Sequence, residues 1–147
     1  MERRDLFRKS LAGALGVFGL TTTARAAESS ARIRVVYHLS DLDKVNFVLG
    51  NIQNHLAGVG GREHADIRLV VHGPALKAFH SISAEKNMSQ AAEGLMKAGV
   101  GFDACANTMR AQGVKLDDLL PGFGVAEKGG VVRLTELQMQ GYHYLRP

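Results

Sequence analysis

Cys105 is the only cysteine in the 147-residue chain, and it lies in GVGFDACANTMRAQGV, residues 99 to 114. Here an apolar strand pattern gives way to a helical one. One cysteine cannot close a bridge within the chain. Three roles stay open for it: a buried bystander, half of an intermolecular bridge, or a reactive sulfur. A thiol at the entry of a helix faces unpaired backbone N–H groups and the positive end of the helix dipole, which favour the thiolate. Thiolates so placed have pKa values lowered to about 3.5–7.5, against about 8.5 for a free cysteine. Asn107, two residues on, is a capping residue type and is read here as fixing the opening turn of that helix. The opposing reading is an inert core thiol, because free cysteine is among the most often buried residues.

Two histidines share a similar address. His38 and His72 each stand where a predicted strand stops, so they could meet across adjacent strand ends and supply a proton there. The six histidines form no HExxH spacing, and a single cysteine leaves one thiolate ligand, so no metal site is expected. No cofactor is expected either. GVGG at Gly58 to Gly61 follows a helix rather than a strand, outside the context of a dinucleotide fingerprint. GxxxxGK[ST] and GxSxG are absent, which weakens nucleotide-hydrolysis and serine-hydrolase readings.

The elements that must position these residues alternate. Arg32 to Leu39 (RIRVVYHL) reads as a strand. The next stretch, capped by Ser40 or Asp41, carries Leu42, Val45, Leu49, Ile52 and Leu56 at helical spacing. Phe47 falls on the opposite, polar face of that helix. Ile67 to Val71 repeats the strand signal and stops at His72, Gly73 and Pro74. Met88 to Ala98 reads as a helix capped by Asn87 and stopped by Gly99. VGFDAC is a third strand, ANTMRAQG a short helix closed by Gly113, and FGVAE a fourth strand after the Pro121-Gly122 turn. GGVVRLTELQMQG is the last helix, and YHYLRP a final strand with alternating Tyr142 and Tyr144. Such alternation predicts an α/β fold: a single domain with a mainly parallel sheet flanked by helices on both faces, in a three-layer flavodoxin-like or Rossmann-like arrangement. Ligand crevices of these sheets lie outside the carboxyl ends of the strands, where His38, His72 and Cys105 are expected.

GFDACANTMRAQGV resembles the strand-Cys-helix segment of the DsrE/DsrF-like family of sulfur-relay proteins. IRLVVHGPALKAF and GGVVRLTELQMQGYHYL resemble the second strand and the last helix-strand unit of the same family. The resemblance runs from about Arg32 to Leu145. It implies a compact α/β fold assembling as a homotrimer or homohexamer, with Cys105 at the position that carries sulfur as a persulfide in the sulfur-transferring members. The implied partners are sulfur donor and acceptor proteins or small sulfane-sulfur compounds.

Charge and targeting complete the reading. The formal net charge is +4, but the first 26 residues hold five Lys/Arg and two acids, leaving 13 basic against 12 acidic residues in the body. That near-neutral body gives no electrostatic case for nucleic acid or an anionic membrane surface. Residues 1–26 read as a cleavable signal peptide: a charged start, an apolar run from Leu11 to Leu20, and a small-x-small site at Ala24-Arg25-Ala26. Arg3 and Arg4, followed by Leu6, Phe7 and Lys9, resemble a twin-arginine export signal. The apolar run is shorter than the roughly 20 residues a bilayer span needs, so no stable membrane insertion is expected. Residues 27–31 read as a flexible lead and 32–147 as the folded domain. The expected function is a periplasmic sulfur carrier, sulfurtransferase-like, that holds a persulfide on Cys105 and passes it to a partner thiol. Asn107 supports the turn, and His38 and His72 serve as proton donors. The alternative is a non-catalytic oligomeric protein that binds a small ligand and keeps Cys105 as a core residue.

Overall fold

The structure is a computed structural model and describes residues 32–147. The expected signal peptide and lead lie outside the described residues. Five parallel strands form one sheet in the order β4-β3-β2-β1-β5. They are β1 (Ile33–Leu39), β2 (Ala65–Val71), β3 (Gly101–Cys105), β4 (Phe123–Ala126) and β5 (His143–Leu145). Between them lie α1 (Val45–Gly58), α2 (Lys86–Lys97), α3 (Ala106–Gln112) and α4 (Gly130–Met139).

Alternation along each strand divides the core in two. Val35, Tyr37 and Leu39 of β1, Ile67, Leu69 and Val71 of β2, and Phe102 and Ala104 of β3 point to one face. There they meet Val45, Val48, Leu49, Ile52 and Leu56 of α1 and Met88, Ala92 and Leu95 of α2. Met109 of α3 joins the same cluster. The other face is sparser: Val36 and Val70 pack under Leu134 and Leu137 of α4, with Tyr142. Helices on both faces therefore follow from side-chain alternation, and the parallel sheet agrees with the sequence.

The expected first helix is split: Leu42–Lys44 forms a 3-10 turn after Asp41, and α1 begins at Val45 with Lys44 as its N-cap. Two further local features differ from the expected ones. Gly73–Phe79 forms a 3-10 helix after β2, where the sequence suggested only a stop. It opens with Pro74, whose fixed φ suits a helix start, and it buries Leu76 and Phe79 at the three-residue spacing of 3-10 geometry. The N-cap of α2 is Glu85, two residues before the expected Asn87. In α4, Leu134 and Leu137 are buried, while Val131, Val132 and Met139 stay exposed on its outer side. Phe47, on the outer side of α1, is 56% exposed.

Phe79 has no exposed surface and meets Phe102 and Phe123 edge-on, at centroid distances of 6.2 and 5.2 Å. This cluster anchors the 3-10 helix to β3 and β4. Phe79→Ala should lower unfolding stability by about 3–5 kcal/mol. Urea unfolding at neutral pH checks it, with the midpoint shifted and the slope preserved.

Candidate functional site

The site grows from the strand that carries Cys105. Cys105 ends β3 and is at once the N-cap of α3, with φ −67° and ψ 118°. On its other side, β4 leads into α4, which crosses the opposite face of the sheet. Adjacent strands whose following helices leave toward opposite faces define the crevice of an open α/β sheet. The sulfur sits at that crevice between the starts of two helices.

The close approach of α4 is made by a glycine pair. Gly129 has φ 101° and ψ 158°, a region essentially reserved for glycine. At Gly130 a Cβ would lie 3.3 Å from Cβ of Cys105 and 3.3 Å from Cβ of His72. The missing side chain is what lets the α4 backbone pass between the two residues. Arg133, one turn on, donates from Nε to Asp103 Oδ2 at 2.8 Å. Asp103 is 8% exposed and lies two residues before Cys105 on the same face of β3, so this ion pair holds α4 over the site.

Cys105 is 5% exposed. Burial pushes its pKa up. The hydroxyl and backbone N–H of Thr108 and the backbone N–H groups of Gly130 and Asn107 outweigh burial, leaving the thiol below its ordinary value. Asn107 thus contributes through its backbone rather than as a cap. The cap position belongs to Cys105, and the Asn107 side chain accepts a hydrogen bond from Arg110. The reason is positional: β3 runs up to Cys105, so the last extended residue takes the cap and Asn107 falls inside the first turn.

Thr108 escaped the sequence reading. Its Oγ1 accepts from the Gly73 N–H at 2.9 Å, which leaves its proton for the sulfur. Gln112 donates to the Gly73 carbonyl at 2.9 Å and takes His80 Nε2 at 2.8 Å on its side-chain oxygen. Both backbone groups of Gly73 are therefore satisfied by α3. The signal for Thr108 was its place three residues after the cap, in the first turn of α3 beside the Cys105 side chain.

His38 and His72 do meet. In the parallel register His38 pairs with Val70, so His72 lies one diagonal step further on the same face. Their Nε2 atoms are in contact, and the ring planes lie within 19° of each other with centroids 4.6 Å apart, so the rings meet edge to edge. His38 Nδ1 is bonded to the Tyr144 hydroxyl at 2.6 Å. Tyr144 comes from β5, which pairs with β1 in a register that sets it beside Val36. Arg146 reaches Ser40 Oγ at 2.9 Å and Asp41 Oδ2 at 3.2 Å, tying the chain end to the loop after β1. Among the described residues, no group of three or more His, Cys, Asp or Glu could hold a metal.

Fold and site together define a single-domain α/β protein with one thiol at the crevice of a parallel sheet. The chain belongs to the DsrE/DsrF-like family, whose model matches residues 18–147 and which is associated in general with sulfur relay. A protein of unknown function from Methanobacterium thermoautotrophicum has a similar structure, at 32% identity and a TM-score of 0.69, covering 78% of this chain and 99% of that one. The fold is shared with a protein of unknown function from Bacteroides thetaiotaomicron, at 19% identity and a TM-score of 0.61, covering 80% of this chain and 97% of that one. It is also shared with the ychN protein of E. coli, at 16% identity and a TM-score of 0.57, covering 78% of this chain and 100% of that one. A search of curated proteins finds no match.

Thr108→Val keeps the shape of the side chain but removes the hydroxyl that favours the thiolate. The Cys105 pKa should rise, read from the pH dependence of alkylation or of thiolate absorbance. Thr108→Ser should restore it. The valine variant also strands the Gly73 N–H, at a cost of about 1–3 kcal/mol in stability.

The histidine pair imposes a pH dependence on the fold. Burial first, then His72 and Arg146, lower the His38 pKa from 6.5 to about 4, with Asp41 opposing. Burial and then Arg146 also lower that of His72. The unfolded chain therefore takes up protons before the folded one does. Stability should be full above pH 6.5 and fall as the pH drops toward about 4. Urea midpoints at pH 7 and pH 5 check this, and His38→Gln should reduce the difference.

Proposed function

We propose that the protein is a sulfur carrier, sulfurtransferase-like, in which Cys105 accepts a sulfane sulfur as a persulfide and passes it to a partner thiol. The observation that carries this reading is the placing of the sulfur: Cys105 ends β3, caps α3 and is packed against Gly130 at the start of α4, where the Thr108 hydroxyl and nearby backbone N–H groups hold its pKa below the ordinary value despite burial. A core thiol needs no such donors, whereas a sulfur that alternates between nucleophile and leaving group is served by them in both roles. In loading, the Cys105 thiolate attacks the outer sulfur of a persulfide RSSH. A new S–S bond forms as the donor S–S bond breaks, giving Cys–S–SH and RS⁻ with no net oxidation. In unloading, an acceptor thiolate attacks the outer sulfur and Cys105 leaves as the stabilised thiolate. His72, across Gly130 from Cys105, is the nearer of the two expected proton donors.

The chain would act in the periplasm after export. This rests on the charged start, apolar run and small-x-small site within residues 1–26. Exposed Phe47, Val131, Val132 and Met139 support self-association, for which the family resemblance implies a homotrimer or homohexamer. The 5% exposure of Cys105 favours one competing reading, an oligomeric small-ligand-binding protein with an inert core thiol.

Intact-mass measurement of the folded protein after incubation with a polysulfide separates the two. The carrier should gain one sulfur atom per chain, removable by a reductant, and Cys105→Ser should gain none while staying folded. A wild-type thiol that takes up sulfur only after denaturation would make the binding-protein reading the correct one.

A further inference from the structure

A buried sulfur that changes hands needs a route for protons as well as for sulfur. The outer sulfur of a persulfide is readily ionised, and an anionic sulfur repels an incoming thiolate. It must be protonated at the moment of handover. Cys105, at 5% exposure, has little access to water for that purpose.

A hydrogen-bonded chain of three side chains starts close to it. His72 flanks Gly130 opposite Cys105, with His72 Cγ 3.5 Å from the point a Gly130 Cβ would take. His72 Nε2 meets His38 Nε2, and His38 Nδ1 meets the Tyr144 hydroxyl at 2.6 Å. Tyr144 is 41% exposed on the short edge strand β5. The chain therefore begins at solvent and ends beside the thiol, crossing three adjacent structural units: β5, β1 and the end of β2.

We propose that Tyr144, His38 and His72 form a directional proton relay from solvent to the Cys105 site, with Tyr144 setting its direction. This rests on the sulfur-carrier reading for its purpose, though not for its geometry. A neutral imidazole has one N–H and one lone pair, so the order of donors along the chain follows from its first member. A phenol is a better donor than acceptor, so Tyr144 O–H donates to His38 Nδ1. His38 then carries its proton on Nε2 and donates to His72 Nε2. That leaves His72 with its proton on Nδ1, which has no protein hydrogen-bond partner among the described residues.

Delivery moves one proton at each link. The His72 Nδ1 proton passes to the persulfide, the His38 Nε2 proton moves to His72 Nε2, and the Tyr144 proton moves to His38 Nδ1. Water reprotonates the Tyr144 oxygen. The net transfer is one proton from solvent to the outer sulfur, with no electrons moved. Burial and the neighbouring Arg146 guanidinium, only partly offset by Asp41, disfavour a charged imidazole at either histidine. The relay therefore runs between neutral tautomers. His72 is the group that meets the substrate sulfur, while His38 and Tyr144 are positioning residues acting through it.

The test is imidazole nitrogen NMR on the 15N-labelled protein, comparing wild type with Tyr144→Phe. Wild type should show His72 protonated on Nδ1 and His38 on Nε2, and the variant should show both histidines as tautomer mixtures. Protonation of His72 on Nε2 in wild type, or an unchanged pattern in Tyr144→Phe, would overturn the proposal. A kinetic measurement complements it: handover of sulfur from loaded Cys105 to a small thiol should slow by about 10-fold or more in the variant. Alkylation of unloaded Cys105 should be unchanged, which a general disturbance of the site would not allow. Equal handover rates in the two proteins would also overturn it. If wild type loads no sulfur, the carrier reading fails while the tautomer pattern still decides the relay.

Discussion

The passage of α4 over the far face of the sheet is the constraint on which the rest depends. β4 lies at one edge and β5 at the other, so the chain must cross the three strands between them in one connection. That crossing covers the second face, buries Leu134 and Leu137 on Val36 and Val70, and delivers β5 to the side of β1. It also brings a helix start against the end of β3. Two adjacent glycines allow the approach, and the Arg133–Asp103 pair fixes it. Without this crossing, Cys105 would face a single short helix on one side and water on the other.

Competition between burial and hydrogen bonding then sets the state of the sulfur. Taking a thiolate out of water costs several kcal/mol, and hydrogen bonds to a charged group return about 1.5–3 kcal/mol each. One donor from the seven-residue α3 would not reverse the effect of burial. Donors from two helix starts and the Thr108 hydroxyl do, which is why the thiol ends below its ordinary pKa although it is buried. The same arrangement leaves the sulfur itself with little exposure, and the half-buried histidine pair lies beside it.

Much of the scaffold was legible in the sequence, because local patterns record which face of an element is buried. Val45, Leu49, Ile52 and Leu56 kept their helical stripe, whereas Leu42, in phase with them, lies in a separate 3-10 turn and is exposed. Gly113 closes α3 in the left-handed conformation that its position implied. The shared strand-end address of His38, His72 and Cys105 was also legible, since strand ends are marked by the residues that follow them. Contacts made by sheet order were not. Tyr144 reaches His38 only because β5 pairs with β1, and Gly130 reaches Cys105 only because α4 starts beside β3. Asn107 was misread for a local reason: its residue type suggested a cap, although a strand ending at Cys105 and a helix starting at Ala106 place it inside the first turn.

The two halves of the site rest on supports of unequal strength. Cys105 belongs to β3, which is paired on both sides and packed by the phenylalanine cluster of the larger core. Tyr144 belongs to a three-residue strand with every residue exposed, held by β1 alone and by the Arg146 contacts to Ser40 and Asp41. Short exposed edges open locally at far lower free energy than core strands. The thiol is thus fixed where its donors must hold geometry, while the solvent end of the histidine chain sits on the element best able to exchange with water. That division matches what the proposed carrier and relay would need, and the strand order β4-β3-β2-β1-β5 leaves two strands between the two supports.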